Sequence, residues 1–224
     1  MTISIAGLCL KTGQLGIAIS SSSIAVGARC PWLRSGIGAV SSQNITLPSL
    51  GQGILSQLSD GKSAEQALNI AVSGDEFNAY RQVTVLDIHG DSACFSGSET
   101  LGIHHSVKGV NCVVAGNMLA NQQVINAMAS AFESSTGALT ARLISALKIG
   151  IAHGGEAGPV HSAAVKIVEK HSWPLVDLRV DWADEDPIGE LSKLWQAYEP
   201  QMIDYVTRAI DPRQAPSYGV PGNE

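Results

Sequence analysis

Thr2 follows directly on Met1 and opens the apolar run Thr2-Ile3-Ser4-Ile5-Ala6-Gly7-Leu8-Cys9-Leu10. A small second residue normally permits removal of the initiator methionine, and the chain then starts with a hydroxyl and a free α-amine on the same residue. A threonine hydroxyl is a weak nucleophile at neutral pH, but an α-amine titrates near pH ~8 and can accept its proton directly or through water. Such a pair does acyl-transfer chemistry. Ordinary chains also begin Met-Thr, so the reading depends on the residues that could join Thr2. A developing oxyanion needs donors, and Gly116-Asn117, after an apolar strand, offers a backbone N–H and a side-chain amide, or else a plain Asn turn. Arg81, at the head of another strand, could hold a substrate carboxylate bidentately or serve a structural ion pair. Gly154-Gly155-Glu156-Ala157-Gly158-Pro159-Val160-His161-Ser162 reads as a pocket-lining loop carrying Glu156 and His161; a helix C-cap followed by a tight turn is the bland alternative.

Other chemistries fail on their own spacing. Gly61-Lys62-Ser63 lacks the upstream glycine of a phosphate-binding loop, since Ser56 stands there. There is no G-x-S-x-G elbow, and the histidines at 89, 104, 105, 153, 161 and 171 form no H-E-x-x-H. Cys9, Cys30, Cys94 and Cys112 form no C-x-x-C pair and read as reduced, cytosolic thiols. Neither a metal nor a cofactor is expected.

The elements that must position Thr2 follow from periodicity. Two strands, Ile3 to Leu10 and Leu15 to Ser22, flank Lys11-Thr12-Gly13-Gln14, a hairpin turn that sets Thr2 beside Ser20, Ser21 and Ser22. Gly36 to Gln43 reads as a strand, followed by helices over Pro48 to Leu58 and Ser63 to Val72, the second with a Ser63/Gln66 capping box. Further strands are expected at Gln82 to Ile88, Ser92 to Ser96 and Asn111 to Ala115. Helical stripes run through Val124, Met128, Ala131 and Phe132, and through Leu139, Leu143, Leu147 and Ile151. Late strands over Val160 to Val168 and Leu175 to Val180 precede a helix opened by Asp186-Pro187, carrying Ile188, Leu191, Leu194, Trp195 and Tyr198 and interrupted at Pro200. This order is that of an α+β fold, a four-layer αββα sandwich with helices outside two sheets. Residues 1–210 form one domain and 211–224 an extended tail rich in Pro and Gly.

Composition agrees with a single domain and a small-molecule ligand. A chain of 224 residues fits one domain of roughly 200–250 residues. Charged residues are 15% of the chain against a usual ~25%, with 45% apolar residues and 23 glycines, which suggests buried sheet or a subunit interface and hence a homo-oligomer. A net charge of -6 without a Lys/Arg run argues against nucleic acid and anionic membrane as partners. The early apolar run, at about nine residues, is too short to span a bilayer and lacks a basic flank, so a cytoplasmic location is expected.

The start Thr2-Ile3-Ser4-Ile5, the stretch Ile24-Ala25-Val26-Gly27-Ala28-Arg29-Cys30-Pro31-Trp32, Gly36-Ile37-Gly38-Ala39-Val40 and Ser42-Gln43-Asn44 together resemble a bacterial and archaeal family, domain-of-unknown-function family 1028. Tyr80-Arg81-Gln82, Gly116-Asn117, Gly154-Gly155-Glu156, His161-Ser162-Ala163, Leu178-Arg179-Val180-Asp181 and Ala215-Pro216-Ser217-Tyr218-Gly219-Val220-Pro221-Gly222 extend the resemblance over the whole chain. It implies a fold like that of the N-terminal-nucleophile hydrolases, with Thr2 in the nucleophile position. Two features depart from proteasome-type members of that fold: Ser20 stands where an aspartate is expected, and the usual lysine has no counterpart, Arg29 and Arg34 being the cations of that stretch. Proton handling then falls on the α-amine, Ser21 and water. The expected activity is hydrolysis of a C–N bond in a small metabolite, with Thr2 and Asn117 catalytic and Ser21, Arg29, Asn44, Arg81, Glu156 and His161 binding or positioning the substrate. The alternative is an inactive relative that binds small molecules or assembles with other chains.

Overall fold

The computed structural model describes residues 1–220. Its strands are β1 (Thr2–Cys9), β2 (Gln14–Ser21), β3 (Pro31–Arg34), β4 (Gly38–Asn44), β5 (Arg81–Asp87), β6 (Ser92–Ser96), β7 (His105–Gly109), β8 (Cys112–Asn117), β9 (Ser162–Val168) and β10 (Val176–Val180). The helices are α1 (Val26–Arg29), α2 (Pro48–Ser59), α3 (Ala64–Ser73), α4 (Gln123–Ser134), α5 (Leu139–Ala152), α6 (Pro187–Tyr198) and α7 (Met202–Ile210). This is a mixed α+β fold with two antiparallel sheets, ordered β10-β9-β2-β1-β8-β7 and β3-β4-β5-β6.

Strand alternation explains the packing. Along β1, Ile3 and Ile5 point to one side and join Met128, Phe132, Leu143 and Leu147 of α4 and α5. Ala6 and Leu8 point to the other and meet Ala39 and Leu86 of the second sheet, together with Leu15, Ile17 and Ile19 of β2. Each Leu, Ile, Met or Phe among them contributes about 1.5–3 kcal/mol on full burial. A third cluster fixes α2 and α3, through Leu50, Ile54, Leu55 and Leu68, on Val40, Val83 and Val85 of the smaller sheet. Gly7 and Gly16 lie opposite each other across β1 and β2, and side chains there would collide with Phe132 and with Leu143 and Ile167, so these glycines set how closely the helices approach.

Local signals behave as their chemistry requires. Gly13 has φ 73° in the β1–β2 turn, and Ser63 and Gln66 form the reciprocal capping box of α3. Asp186 caps α6 by accepting from Gly189 N at 2.8 Å, and Pro200 sits in a 3-10 turn that separates α6 from α7. Some expectations need correction. The strand expected over 111–115 runs from Cys112 to Asn117, so Asn117 ends β8 in register with Thr2 instead of lying in a turn beyond it. The edge strands β3 and β7, four and five residues long, are too short to display a period. Ile151 and Leu194 are exposed rather than core, because their helices close on the sheet through Gly150 and through Leu191 and Trp195 instead. The tail is not simply extended: it makes a 3-10 turn at Pro212–Gln214, and Arg208 Nη2 donates to Pro216 O at 2.9 Å while its guanidinium lies 3.8 Å from the Tyr218 ring centre. The remainder of the expected tail, 221–224, lies outside the described residues.

Candidate functional site

Thr2 is the first residue of β1, a strand in the interior of the larger sheet. Register places it opposite Ser21 of β2 and opposite Asn117 of β8, so strand pairing alone lines up Asn117, Thr2 and Ser21 on one face. Ser162 of β9 continues the row beside Ser21. Ser20 pairs with Ile3 and therefore shares the helix-facing side, away from Thr2. Alternation makes Ser21, not Ser20, the companion of Thr2.

The hydroxyl contacts are specific. Thr2 Oγ1 donates to the carbonyl of Met1 at 2.7 Å and lies 3.3 Å from Ser21 Oγ. Ser21 Oγ donates to the same Met1 carbonyl and accepts from Ser23 N at 3.1 Å. Two hydroxyls thus converge on the carbonyl oxygen that precedes Thr2.

Behind Thr2 the second sheet supplies a buried amide network. Ser4 Oγ and Ser41 Oγ donate to Gln43 Oε1 at 2.6 and 3.0 Å, and Gln43 Nε2 donates to Gln82 Oε1 at 2.8 Å. Gln82 Nε2 donates to Ser96 Oγ and to Gly116 O at 3.1 and 3.0 Å, which leaves its Oε1 as the acceptor. Asn117 Nδ2 donates to that oxygen at 3.1 Å. The chain of donors consequently fixes the Asn117 amide with its nitrogen occupied and its Oδ1 buried without a partner. Asn117 offers an acceptor here, not the oxyanion donor that its residue type suggested.

Glu156 closes the site from the loop after α5. Gly154 and Gly155 adopt φ 117° and 60° there, and Met118, at φ 48°, turns the chain beyond β8 so that Ala157 N donates to Met118 O at 2.8 Å. The carboxylate is buried, with Oε2 accepting from Ser22 N at 3.2 Å and Oε1 unpartnered. Burial pushes its pKa up from 4.5 to about 8, against the opposing pull of the Met1 α-ammonium and the Ser22 N–H. Met1 itself lies over Gly158, where any Cβ would come within 2.8 Å of Met1 Cε.

The other expected residues are held elsewhere. The His161 backbone N–H donates to Ser21 O at 2.9 Å, but its ring stacks on Trp182 at 4.4 Å and its Nδ1 contacts Ala183 O at 2.9 Å. Arg29 Nη1 donates to Ile24 O and Ala25 O at 2.5 and 3.1 Å. Asn44, at φ 68°, donates to Tyr80 O at 2.6 Å and accepts from Leu101 N. Arg81 forms a buried ion pair with Asp75 at 2.8 Å and donates to Ile45 O at 2.7 Å, so it takes the structural role. Sequence reasoning missed Ser4, Ser41, Gln43, Gln82 and Ser96. For Ser41 and Gln43 the signal is the polar run Ser41-Ser42-Gln43 following Gly38-Ala39-Val40 in one strand.

Burial pushes the thiols of Cys30 and Cys112 up to about 11 and about 12, so both are neutral at physiological pH. Among the described residues no group of three or more His, Cys, Asp and Glu side chains is arranged to hold a metal ion, and no helix is long and apolar enough to cross a membrane.

Residues 2–191 match the family of unknown function DUF1028, and the chain belongs to that family. No curated protein matches it. Among solved structures it is similar to protein SPO2555 from Silicibacter pomeroyi, of the same family, at 33% identity and TM-score 0.85, over 91% of this chain and 89% of that one. Anbu (ancestral beta-subunit) from Yersinia bercovieri matches at 12% identity and TM-score 0.42, over 98% of this chain and 100% of that one. An Anbu variant from Hyphomicrobium sp. strain MC1 matches at 10% identity and TM-score 0.42, over 91% and 96%.

Proposed function

We propose that this member of the DUF1028 family is an N-terminal-nucleophile amidohydrolase of four-layer αββα architecture, cleaving a C–N bond in a small metabolite through Thr2 after removal of Met1. One observation carries the reading: Thr2 Oγ1 and Ser21 Oγ both donate to a carbonyl next to the nucleophile, at the end of an interior strand. In the mature chain the α-amine of Thr2 takes the proton from Oγ1 as the hydroxyl attacks the substrate carbonyl. Ser21 Oγ donates to the oxyanion, as it now donates to the Met1 carbonyl. Asn117 Oδ1, the open acceptor beside Thr2, receives an N–H of the α-ammonium that forms. The amine then protonates the leaving nitrogen, and water hydrolyses the Thr2 ester. The layered arrangement is supported by an apolar cluster shared by the two sheets, with α4 and α5 packed on the far side of one and α2 and α3 on the far side of the other.

The test is turnover of a panel of small amides by protein whose intact mass and N-terminal sequence show Thr2 first. Thr2→Ala is expected to reduce turnover by at least ~10³-fold while leaving the circular dichroism spectrum unchanged. Equal turnover by the variant rejects the mechanism.

A second reading, an inactive small-molecule binder, is favoured by one observation: among the described residues no lysine or aspartate hydrogen-bonds to Thr2. It expects ligand-dependent thermal stabilisation of both wild type and Thr2→Ala, with no product from any amide. We extend the proposal to a cytoplasmic homo-oligomer, supported by α7, which buries none of its residues and exposes Ile203 and Ile210. A monomer by light scattering at micromolar concentration removes that part.

A further inference from the structure

Met1 occupies the site in the manner of a tethered ligand. Its carbonyl accepts from both Thr2 Oγ1 and Ser21 Oγ. Its side chain lies against Gly158, where a Cβ would force the Met1 methyl group to shift. Glu156, two residues earlier on the same loop, is pinned by Ser22 N next to Ser21 and has one carboxylate oxygen buried without a partner. The Met1 α-ammonium is close enough to counteract the effect of burial on that carboxyl group. Carbonyl and side chain therefore each have a counterpart in direct contact, and the ammonium acts on the Glu156 carboxyl group through space. A buried carboxylate is costly unless a cation meets it or a proton neutralises it; Arg29, Arg34 and Arg81 are all bonded elsewhere, so Glu156 holds a proton until a bound α-ammonium draws it off.

We infer that the place vacated by Met1 is a recognition site for an α-aminoacyl group, so that the substrate class is amino-acid amides bearing a free α-ammonium, read by Glu156, with the side chain over Gly158. This rests on the hydrolase reading for its chemistry but not for its binding. The substrate carbonyl lies near the present Met1 carbonyl, displaced from Thr2 N by the difference between a covalent bond and a non-bonded contact. Attack forms the Thr2 Oγ1–C bond and breaks the amide C–N bond. The Oγ1 proton leaves through the α-amine to the departing nitrogen, giving ammonia or an amine and an α-aminoacyl ester on Thr2. Water then adds to that ester, releasing the free amino acid and restoring the hydroxyl.

The experiment compares methioninamide with N-acetylmethioninamide on protein starting at Thr2, following ammonia release, with calorimetric binding of both compounds to the Thr2→Ala protein. Methioninamide is expected to be favoured at least ~10-fold in both measurements, because acetylation removes the charge that Glu156 meets. Glu156→Gln should collapse that ratio. Gly158→Val, which leaves Glu156 in place, should shift preference from methioninamide to glycinamide, giving a readout should the Glu156 variant fold poorly. Equal handling of the two compounds with Thr2-dependent turnover overturns this inference and leaves the hydrolase standing. Selective binding of methioninamide without turnover sustains the site and ends the hydrolase reading. Neither binding nor turnover overturns both.

Discussion

The two ends of the gap between the sheets are built from the same strands and have opposite chemistry. At one end Ala6, Leu8, Leu15, Ile17, Ala39 and Leu86 form a dry contact of fully buried apolar side chains. At the other, Thr2, Ser4, Ser21, Gln43, Gln82 and Asn117 are just as buried, yet all are polar. Buried amides normally satisfy their hydrogen bonds. Here Asn117 Oδ1 and Glu156 Oε1 do not, although Arg81 and Asp75, equally buried, are paired. The contrast teaches that the apolar end holds the sheets together, while the polar end leaves two buried acceptors without a protein partner, at a cost in stability.

Leu86→Ala should lower stability by about 2–5 kcal/mol through lost contacts and a residual cavity. Measured below its melting temperature, its kcat/KM should match wild type; a large loss of turnover would show that the two ends are not separable. Gln82→Leu removes the acceptor shared by Gln43 and Asn117 and the donor to Gly116 O. It should cost about 1–3 kcal/mol for each group left unpaired, and it should lower kcat by freeing the Asn117 amide to turn. Unaltered kcat together with lost stability would assign the network to structure alone.

Glu156→Gln separates the ends by pH. The folded-state pKa, about 8, lies above the ordinary 4.5, so folded protein holds its proton where unfolded chain has lost it. The stabilising contribution is complete below pH 4.5 and disappears as pH rises through about 8. Wild type should therefore lose a few degrees of melting temperature across that window relative to Glu156→Gln, and parallel curves would place the carboxyl group in water. Ser20→Ala should do least. Its hydroxyl is buried and unpartnered on the helix-facing side, so removal should change stability by less than ~1 kcal/mol and leave turnover intact. A catalytic defect there would contradict the strand alternation that makes Ser21 the partner of Thr2.

Much of the frame was legible because its signals are local. Gly13 needs only the φ 73° of its own turn, Ser63 and Gln66 cap a helix within one turn, and Asp186-Pro187 opens α6 by the same means. The hairpin also brought Thr2 to Ser21 before any tertiary contact was known. The edge strands β6 and β10 were legible, whereas β3 and β7 at the opposite edges were not. Nor was the choice for Arg81, which is decided by Asp75 six residues away closing an ion pair.

By itself the sequence determined the nucleophile candidate, the places of α2 and α3, the start of α6 and the strands that carry Thr2 and Ser21, because covalent neighbours and backbone periodicity dictate them. Only the tertiary structure decided that Asn117 lies in register with Thr2, that Gln43 and Gln82 occupy its amide nitrogen and leave its oxygen unpaired, and that Glu156 stands buried near Met1. Those facts depend on pairing between strands far apart in the chain and on exclusion of water. Neither is a property of any one segment.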